Sequence, residues 1–270
     1  MTTNFLDRIL HTKRLEIEHL KHQRLTIAGT DIRPRRGFAD KIQRSDRLAI
    51  VAEVKKASPS KGVIQPDFHP VTTAKTYETA GATCISVLTD RDYFMGSIKD
   101  LLAVRQEVTI PVLRKDFIID EVQVDEAYLS GADAILLICA ALSRERLREL
   151  SNYARGLELD VLVEVHSEPE LSAALAADAS VIGVNNRDLT TFDVHLETSE
   201  RLIPMVPKNI PTLAESGIRN ADDAARMAAC GASGILVGES LMRAGAPDSM
   251  SAALKSLQII KTSNIEERLP

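Results

Sequence analysis

Charged side chains stand at the ends of several short apolar segments of this sequence. In LAIVAEVKK, Glu53 and Lys55 share one face of an extended strand because side chains alternate along it. Other polar residues that end apolar segments are Lys115, Glu164, Asn185, Arg187 and Glu215. A single charge of this kind can lie in solvent. Carboxylates and lysines gathered in one cavity would instead be the groups that general acid–base catalysis uses.

A repeated phrase indicates which elements carry these residues. AGATCISVLTD at 80–90, SGADAILLICA at 130–140 and CGASGILVGES at 230–240 each pass from a small residue and Gly into an apolar run. Glycine supplies the left-handed cap of a helix, and the apolar run is typical of a buried strand. A fourth copy, AADASVIGVNN, lacks the Gly. The phrase therefore predicts the helix-to-strand half of a βα unit.

Extending this pattern along the chain predicts eight strands. Their centres lie near Ile50, Ile85, Val112, Leu136, Val163, Ile182, Thr212 and Leu236. Amphipathic helices such as DEVQVDEAYLSGA and SRERLRELSNYARG fill the intervals, so a parallel sheet covered by helices is expected. Eight units favour the α/β class and a single (β/α)8 TIM barrel. The alternative is an open doubly wound sheet, but its GxGxxG fingerprint and the P-loop are absent.

A closed barrel would bring the charged strand ends together at one mouth. Active sites of such barrels lie at the carboxyl ends of the strands. Burying these charges without mutual pairing would cost on the order of several kcal/mol each. We therefore expect an active site rather than a solvated edge.

Two glycine-containing turns predict a phosphate site at the same end. Ser216-Gly217 follows the seventh strand and Gly238-Glu239-Ser240 follows the eighth, each before a helix. Glycines let backbone N–H groups approach an anion, and a helix N-terminus favours negative charge. Further donors from the first strand and its loop would be Lys55, Ser58 and Ser60.

The composition limits the partners that we expect. The 270 residues are 44% hydrophobic and 26% charged with a net charge of −5, which argues against general nucleic-acid binding. Cys84, Cys139 and Cys230 are isolated, and the histidines show no metal-binding spacing. No apolar run suits a signal peptide or a membrane span. We expect a cytoplasmic protein with reduced thiols, no metal, and no nucleic-acid or membrane partner.

The first 47 residues do not fit the repeated unit. Apolar residues at helical spacing are Leu6, Ile9, Leu10, Ile17 and Leu20. A helix packed on the barrel is expected here, with a nucleic-acid-binding arm as the alternative. A further helix around DSMSAALKSLQIIK precedes a polar tail. We predict one domain at 1–270, with a helical extension at 1–47 and the barrel with its C-terminal helix at 48–270.

In their order along the chain, the strand-end motifs resemble those of the indole-3-glycerol phosphate synthase family. The matching stretches are EVKKASPSKG, LRKDFIID, VEVHSEPEL, GVNNRDL, AESGI and LVGESLM. The resemblance spans about residues 5–245. It implies a β/α barrel with an N-terminal helical extension over the active-site end, which would account for residues 1–47.

The resemblance also implies a reaction. A sugar phosphate, 1-(2-carboxyphenylamino)-1-deoxyribulose 5-phosphate, would close to indole-3-glycerol phosphate with loss of CO₂ and water. This decarboxylation is a step of tryptophan biosynthesis and needs no cofactor or metal. We expect a monomer, although the sequence itself does not determine the oligomeric state.

Matched motif by motif, the resemblance assigns roles to residues. It implies that Lys115 is the general acid that protonates the substrate carbonyl and that Glu164 is the base of the later proton removal. Glu53 and Lys55 would position the substrate and take part in dehydration, and the sequence leaves open how Glu53 and Glu164 divide the proton transfers. Implied substrate contacts are Asn185, Arg187 and Glu215, with Phe94, Phe117, Leu136 and Leu189 around the aromatic ring. Implied phosphate contacts are Ser58, Ser216, Gly217, Gly238 and, through its backbone, Glu239.

Two expectations concern the neighbours of these catalytic candidates. A lysine acts as an acid near neutral pH only if its pKa is lowered, and we expect Lys55 and Arg187 to lower that of Lys115. His166 follows Glu164 closely, and we expect it to point to the opposite face as a packing or capping residue.

Three other functions stay open at this point. A Schiff-base lyase or aldolase on the same barrel would use Lys115 or Lys55 as its nucleophile. Phosphoribosylanthranilate isomerase is a similar barrel, but its family does not use the Glu-x-Lys ending on the first strand. A non-catalytic sugar-phosphate-binding barrel would not need the full set of Lys115, Glu164 and Glu53.

Overall fold

A closed barrel of eight parallel strands forms the centre of the molecule. The computed structural model describes residues 5–22 and 34–260. The barrel strands are β1 (Ala49–Val54), β4 (Cys84–Leu88), β5 (Val112–Lys115), β6 (Ala134–Ile138), β7 (Asp160–Val165), β8 (Val181–Asn185), β9 (Thr212–Glu215) and β10 (Gly234–Val237). A hairpin of β2 (Ala57–Ser58) and β3 (Gly62–Val63) follows β1. Every predicted strand centre lies within a barrel strand, so the predicted fold class is confirmed.

Helices alternate with the strands and surround the barrel. They are α1 (Phe5–His22), α2 (Phe38–Gln43), α3 (Pro70–Ala80), α4 (Ile98–Glu107), α5 (Glu121–Leu129), α6 (Arg144–Gly156), α7 (Glu168–Ala176), α8 (Glu197–Leu202), α9 (Ala221–Ala229), α10 (Glu239–Arg243) and α11 (Pro247–Ser256). Within the two described ranges, no helix combines the length and apolar character that a membrane crossing requires.

The repeated phrase forms the predicted helix ends. Gly81, Gly131 and Gly231 follow α3, α5 and α9 with φ angles of 98°, 80° and 93°. This left-handed region is costly for most residues with a Cβ. In the fourth copy, Asp178 takes the same position with φ of 58°, because a short polar side chain tolerates it better than others do. The copy without Gly is therefore still a βα unit.

Two helix starts show why the intervals fold as helices. Asp120 caps α5 by accepting the Val122 N–H at 3.1 Å, and it forms a capping box with Gln123. Ser143 caps α6 by accepting the Arg146 N–H at 3.1 Å. Each bond satisfies an N–H group that has no partner within its helix. The predicted helical segments begin at these same two residues.

Alternate strand residues form two separate buried cores. Outward-facing side chains such as Ile85 and Val163 pack against the helices. Inward-facing side chains such as Leu113, Leu162 and Leu213 fill the barrel interior. The continuous burial of each strand explains why the strands read as unbroken apolar runs. The charged residues lie above this interior, at the carboxyl ends of the strands.

Helix α2 closes the opposite end of the barrel. Phe38 and Ile42 are fully buried and pack against the inward-facing strand residues. The Ala39 N–H donates to Asp160 Oδ2 at 2.9 Å, and Asp160 is the first residue of β7. The α2 segment is therefore anchored at the amino ends of the strands.

Helix α1 lies over the mouth at the carboxyl ends. The Phe5 ring packs edge-on against Tyr93, with 5.5 Å between centroids, and against Phe192, with 5.3 Å. The buried Lys13 Nζ lies 2.8 Å from Asp90 Oδ2 and 2.9 Å from Asp116 Oδ1. These partners follow β4, β5 and β8 along the chain.

The predicted position of the N-terminal extension is thus right for α1 only. Residues 5–22 cover the active-site end, as the resemblance implied, whereas residues 34–43 lie at the opposite end. Both segments are amphipathic, and each buries its apolar side on a different surface of the barrel. The remaining parts of the extension, 1–4 and 23–33, and the tail 261–270 lie outside the described residues.

Candidate active site

A cavity of about 740 Å³ opens at the carboxyl ends of the barrel strands. Its walls are the strand ends, the β2–β3 hairpin, the loops that follow the strands and one face of α1. Every site residue predicted from the sequence lines it, from Glu53 on β1 to Glu239 at the start of α10. The structure therefore gathers the predicted set in one place.

A buried lysine stands among carboxylates on the cavity floor. Lys115 Nζ, at the end of β5, lies 3.5 Å from Glu164 Oε2 and 3.5 Å from Glu215 Oε2. Glu53, on β1, is paired with Lys55 two residues further along the same face. All three carboxylates are buried, so their charges interact strongly with the two lysines.

The pKa of Lys115 is raised, which contradicts the prediction from the sequence. Burial alone would lower this pKa, but Glu215, Glu164 and Glu53 outweigh burial by stabilising the ammonium. The predicted effect of Lys55 and Arg187 was wrong because carboxylates, rather than cations, surround the Lys115 nitrogen. Lys115 is therefore held protonated in the free protein.

The pKa values of the three carboxyl groups are shifted in different directions although all three are buried. Burial would raise the pKa of Glu164, but Lys115, His166 and the Asn185 hydrogen bond together lower it. In the same way, Lys55 and Lys115 lower the pKa of Glu53 against the effect of burial. Burial and the charges of Glu164 and Glu53 raise the pKa of Glu215 to about 7. Carboxyl groups with pKa values pushed apart can act as both acid and base in one site.

Asn185 and Arg187 extend this cluster along β8 and the loop after it. Asn185 Nδ2 donates to Glu164 Oε1 at 3.0 Å, and Asn185 Oδ1 accepts the Arg187 N–H at 3.0 Å. Arg187 Nη1 donates to the Phe192 carbonyl at 3.2 Å. Both side chains are thereby fixed at the rim of the cavity.

The Ser216-Gly217 turn has the backbone form that an anion site needs. Ser216 and Gly217 both have positive φ angles, 63° and 84°. A Cβ at position 217 would lie 2.6 Å from Val194 Cγ1, so only glycine fits. A turn of this kind exposes backbone N–H groups to the cavity.

Gly238 and Glu239 form the second turn of the predicted phosphate site. A Cβ at position 238 would overlap the Glu53 carboxylate, so this glycine also makes room for a catalytic candidate. Glu239 Oε1 accepts a hydrogen bond from Arg243 Nε at 3.0 Å, which neutralises its charge near the predicted anion. Ser58 lines the cavity from the β2–β3 hairpin.

Apolar residues also line the cavity. The Phe94 and Phe117 rings are 6.1 Å apart between centroids, and Leu136 and Leu189 complete the predicted wall. The sequence analysis missed the contribution of α1, whose Phe5, Leu6 and Ile9 also line the cavity. The helical stripe indicated that Leu6 and Ile9 pack on the barrel, but not at which end.

The sequence analysis predicted that His166 points away from Glu164, but the structure places the two side chains close together. His166 Nε2 lies 3.5 Å from Glu164 Oε1, and Nδ1 lies 3.3 Å from Glu170 Oε2. The expectation was wrong because residues two apart on an extended strand share a face. The alternation that placed Glu53 with Lys55 would have found this contact.

The fold and the cavity together define a class of protein, an α/β-barrel with a cluster of buried carboxyl groups and lysines beside glycine-containing turns. The family model of indole-3-glycerol phosphate synthase matches residues 6–257. The chain belongs to the indole-3-glycerol phosphate synthase family. This membership confirms the family predicted from the strand-end motifs, and with it an enzyme of the carboxy-lyase class.

Individual relatives agree with this assignment. Indole-3-glycerol phosphate synthase from Desulfotalea psychrophila is 48% identical over 256 residues, covering 93% of this chain and 98% of that protein. The one from Geobacillus kaustophilus is 50% identical over 240 residues, covering 88% and 92%. Among solved structures, tryptophan synthase subunit alpha from Legionella pneumophila has a TM-score of 0.62 at 16% identity, covering 83% of this chain and 97% of its own. That likeness shows the fold alone.

Proposed function

We propose that this protein closes the indole ring of 1-(2-carboxyphenylamino)-1-deoxyribulose 5-phosphate and releases CO₂ and water. One observation carries the assignment of roles: a protonated lysine, Lys115, lies within 3.5 Å of the Glu164 and Glu215 carboxylates inside the cavity. The family membership favours this reaction over the isomerase and over a non-catalytic barrel.

The two ends of the cavity suit the two ends of this substrate. The phosphate would bind the backbone N–H groups of Ser216, Gly217, Gly238 and Glu239, with Ser58 from the hairpin. The aromatic ring would pack between Phe94, Phe117, Leu136 and Leu189. Anchoring both ends holds the aryl carbon near the ketone carbon, which lowers the entropic cost of bringing the two reacting atoms together.

Lys115 is the proposed acid of the ring closure. The aryl carbon that bears the carboxylate attacks the ketone carbon, and the ketone oxygen takes a proton from Lys115 Nζ. The carboxylate then leaves as CO₂, and its bonding electrons restore the aromatic ring. The raised pKa of Lys115 is compatible with this role, because an oxygen that gains negative charge is a stronger base than an amine.

Glu164 is the proposed base of the dehydration. Its pKa is lowered because the charge of neighbouring Lys115 outweighs burial, whereas Glu53 is already paired with Lys55. Glu164 takes the proton from the carbon beside the ring nitrogen, and the hydroxyl group leaves as water with a proton from Lys55. The two lysines give two protons and Glu164 receives one, so each turnover takes one proton from water.

Indole fluorescence tests the reaction directly because the chain contains no tryptophan. We expect the ribulose phosphate to give a rising indole signal with the wild-type protein. Lys115→Ala should lower the turnover number by at least about 10²-fold with only a modest loss of substrate binding, since it removes the acid and leaves both anchors.

Lys75→Ala is the matched control, because Lys75 pairs with Glu107 on the outer surface. It should turn over like the wild type. Near-normal turnover by Lys115→Ala would contradict the acid assignment. A covalent adduct after borohydride reduction would instead support the Schiff-base lyase.

We further propose that residues 1–270 act as one domain, in the cytoplasm, as a monomer and without cofactor, metal or nucleic-acid partner. The negative net charge and the three isolated cysteines of the sequence support this proposal. Asn185, Arg187 and Glu215 would contact the sugar hydroxyls and the carboxylate region of the substrate.

A further inference from the structure

A histidine and a glutamate lie directly behind the proposed base. His166 follows β7, and Glu170 lies in the first turn of α7. Neither residue lines the cavity, so neither is placed to touch the substrate. The proposed mechanism gives no role to this pair.

A carboxylate lies near each nitrogen of the His166 ring. Glu170 Oε2 accepts the His166 backbone N–H at 2.6 Å and lies 3.3 Å from the ring Nδ1. The other ring nitrogen, Nε2, is buried and has no hydrogen-bond partner among the described residues. Its nearest carboxylate oxygen is Glu164 Oε1, at 3.5 Å. With protons on both nitrogens, the ring would join the two carboxylates.

We propose that His166, oriented by Glu170, is a positioning residue that keeps Glu164 ionised and ready to accept a proton. This inference rests on the proposed function, in which Glu164 is the base. A cation next to a carboxylate favours its charged form. His166 supplies that cation without occupying any of the cavity.

The other titratable groups near His166 and Glu170 do not replace His166 as the cation beside Glu164. Lys115 also stabilises ionised Glu164, but Glu215 competes for the same ammonium. Asp188, in the loop after β8, adds a negative charge that favours protonated His166. Burial raises the pKa of the Cys139 thiol to about 12, so that neighbour is uncharged. Burial would lower the pKa of His166, but Glu170 and Glu164 together raise it above its ordinary value.

His166→Gln tests the proposal through the pH dependence of turnover. The amide keeps a polar side chain and removes the positive charge, so the pKa of Glu164 should rise. We expect the acid limb of the turnover profile to move to higher pH by about one unit, with little change in KM. A purely structural role would lower turnover by the same factor at every pH, and that result would overturn the proposal.

Two variants on the same turn of α7 provide the comparison. Glu170→Gln should move the acid limb in the same direction by a smaller amount, because His166 becomes easier to deprotonate. Glu168→Gln is the matched control, since Glu168 pairs with Arg201 at 2.9 Å on the outer surface. It should leave the limb unchanged. Equal shifts of the acid limb in Glu170→Gln and Glu168→Gln would contradict the proposal.

An NMR titration of the His166 ring separates this proposal from the proposed function. The ring should titrate at a higher pH in the wild type than in Glu170→Gln, whatever the protein catalyses. Its signal is assigned by its absence in His166→Gln, and Glu170→Gln carries the test if that variant does not fold. An absent indole signal from the wild type would overturn the function, whereas an unchanged titration would overturn the inference.

Discussion

At the scale of single residues, Glu215 is a carboxyl group whose ionised form is costly to bury. Its carboxyl group is buried, and Oε1 has no hydrogen-bond partner among the described residues. The neighbouring strand accommodates it only because position 183 is glycine, where a Cβ would overlap the Glu215 carboxylate. The chain therefore keeps a poorly solvated carboxyl group that a structural role alone would not require.

Replacing this carboxyl group should stabilise the protein at alkaline pH. The folded-state pKa of Glu215, about 7, lies above its unfolded value. The folded protein therefore loses stability as the pH rises through this interval, because ionisation is harder in the folded state. Glu215→Gln cannot ionise, so its free energy of unfolding relative to the wild type should rise by about 2 kcal/mol between about pH 5 and about pH 8.

Chemical denaturation at the two pH values measures this difference. Glu145→Gln, at an exposed position of α6, is the control and should follow the wild type at both. Parallel behaviour of Glu215→Gln and the wild type would show that Glu215 does not titrate in this range. The variant should also lose activity, since it changes a proposed substrate contact.

The sequence predicts which residues line the site better than it predicts how their pKa values are shifted. Side-chain alternation predicted that Glu53, Lys115 and Glu215 lie at the strand ends, and closure of the barrel brings these ends together at one mouth. The direction of the Lys115 pKa shift depends on distances of a few ångströms between side chains on different strands. No pattern within one strand contains that information.

At the scale of elements, a buried cation anchors α1 to the mouth of the barrel. Lys13, 1% exposed, contacts Asp90 and Asp116 on two loops and Glu16 on its own helix, at 2.8 to 2.9 Å. Asp116 is the residue directly after Lys115, so a partner of the α1 anchor and the proposed acid are neighbours in the chain. The position of this helix and the shape of the cavity are thereby linked.

Lys13→Met should release α1 from the barrel. The substitution takes the cation away from buried Asp90 and leaves Asp116 with Arg114, at 3.3 Å, and breaking a buried pair in this way typically costs about 3–5 kcal/mol. Faster amide hydrogen exchange within residues 5–22 should report the release, together with a higher KM because α1 lines the cavity.

Lys21→Met is the control for this change. Lys21 lies on the same helix as Lys13 and pairs with Asp120, the N-cap of α5, but the Lys21 side chain is 46% exposed. Loss of such an exposed pair costs little stability, because water screens the two charges. Equal exchange rates in the two variants would mean that Lys13 is not the anchor.

Lys13 also shows what a helical pattern omits. It occupies a buried position of the stripe formed by Leu6, Ile9, Leu10 and Ile17. In the sequence, Lys13 is a charged residue that interrupts the apolar stripe. Its partners Asp90 and Asp116 lie far along the chain, so the helical pattern does not show that its charge is paired. The stripe predicted the helix, and only the three-dimensional structure explains the lysine.

At the scale of the whole molecule, the described parts of the N-terminal extension contact both ends of the barrel. Helix α1 lies over the mouth, and Phe38 and Ile42 of α2 pack into the other end. The repeated βα phrase, extended to eight strands along the chain, favoured a closed barrel over an open sheet. An amphipathic pattern states only that one face is buried, so it could not assign α2 to the amino ends of the strands.

The closure by α2 has a kinetic consequence. Below the cavity, the described interior is filled by apolar side chains as far as Phe38 and Ile42, so substrate and product can pass only through the mouth. A new substrate molecule cannot enter from behind while the product is still bound. Indole-3-glycerol phosphate should therefore inhibit competitively, raising KM and leaving the maximal rate unchanged in initial-rate measurements. A falling maximal rate with added product would reveal a second route, which this blind chamber does not provide.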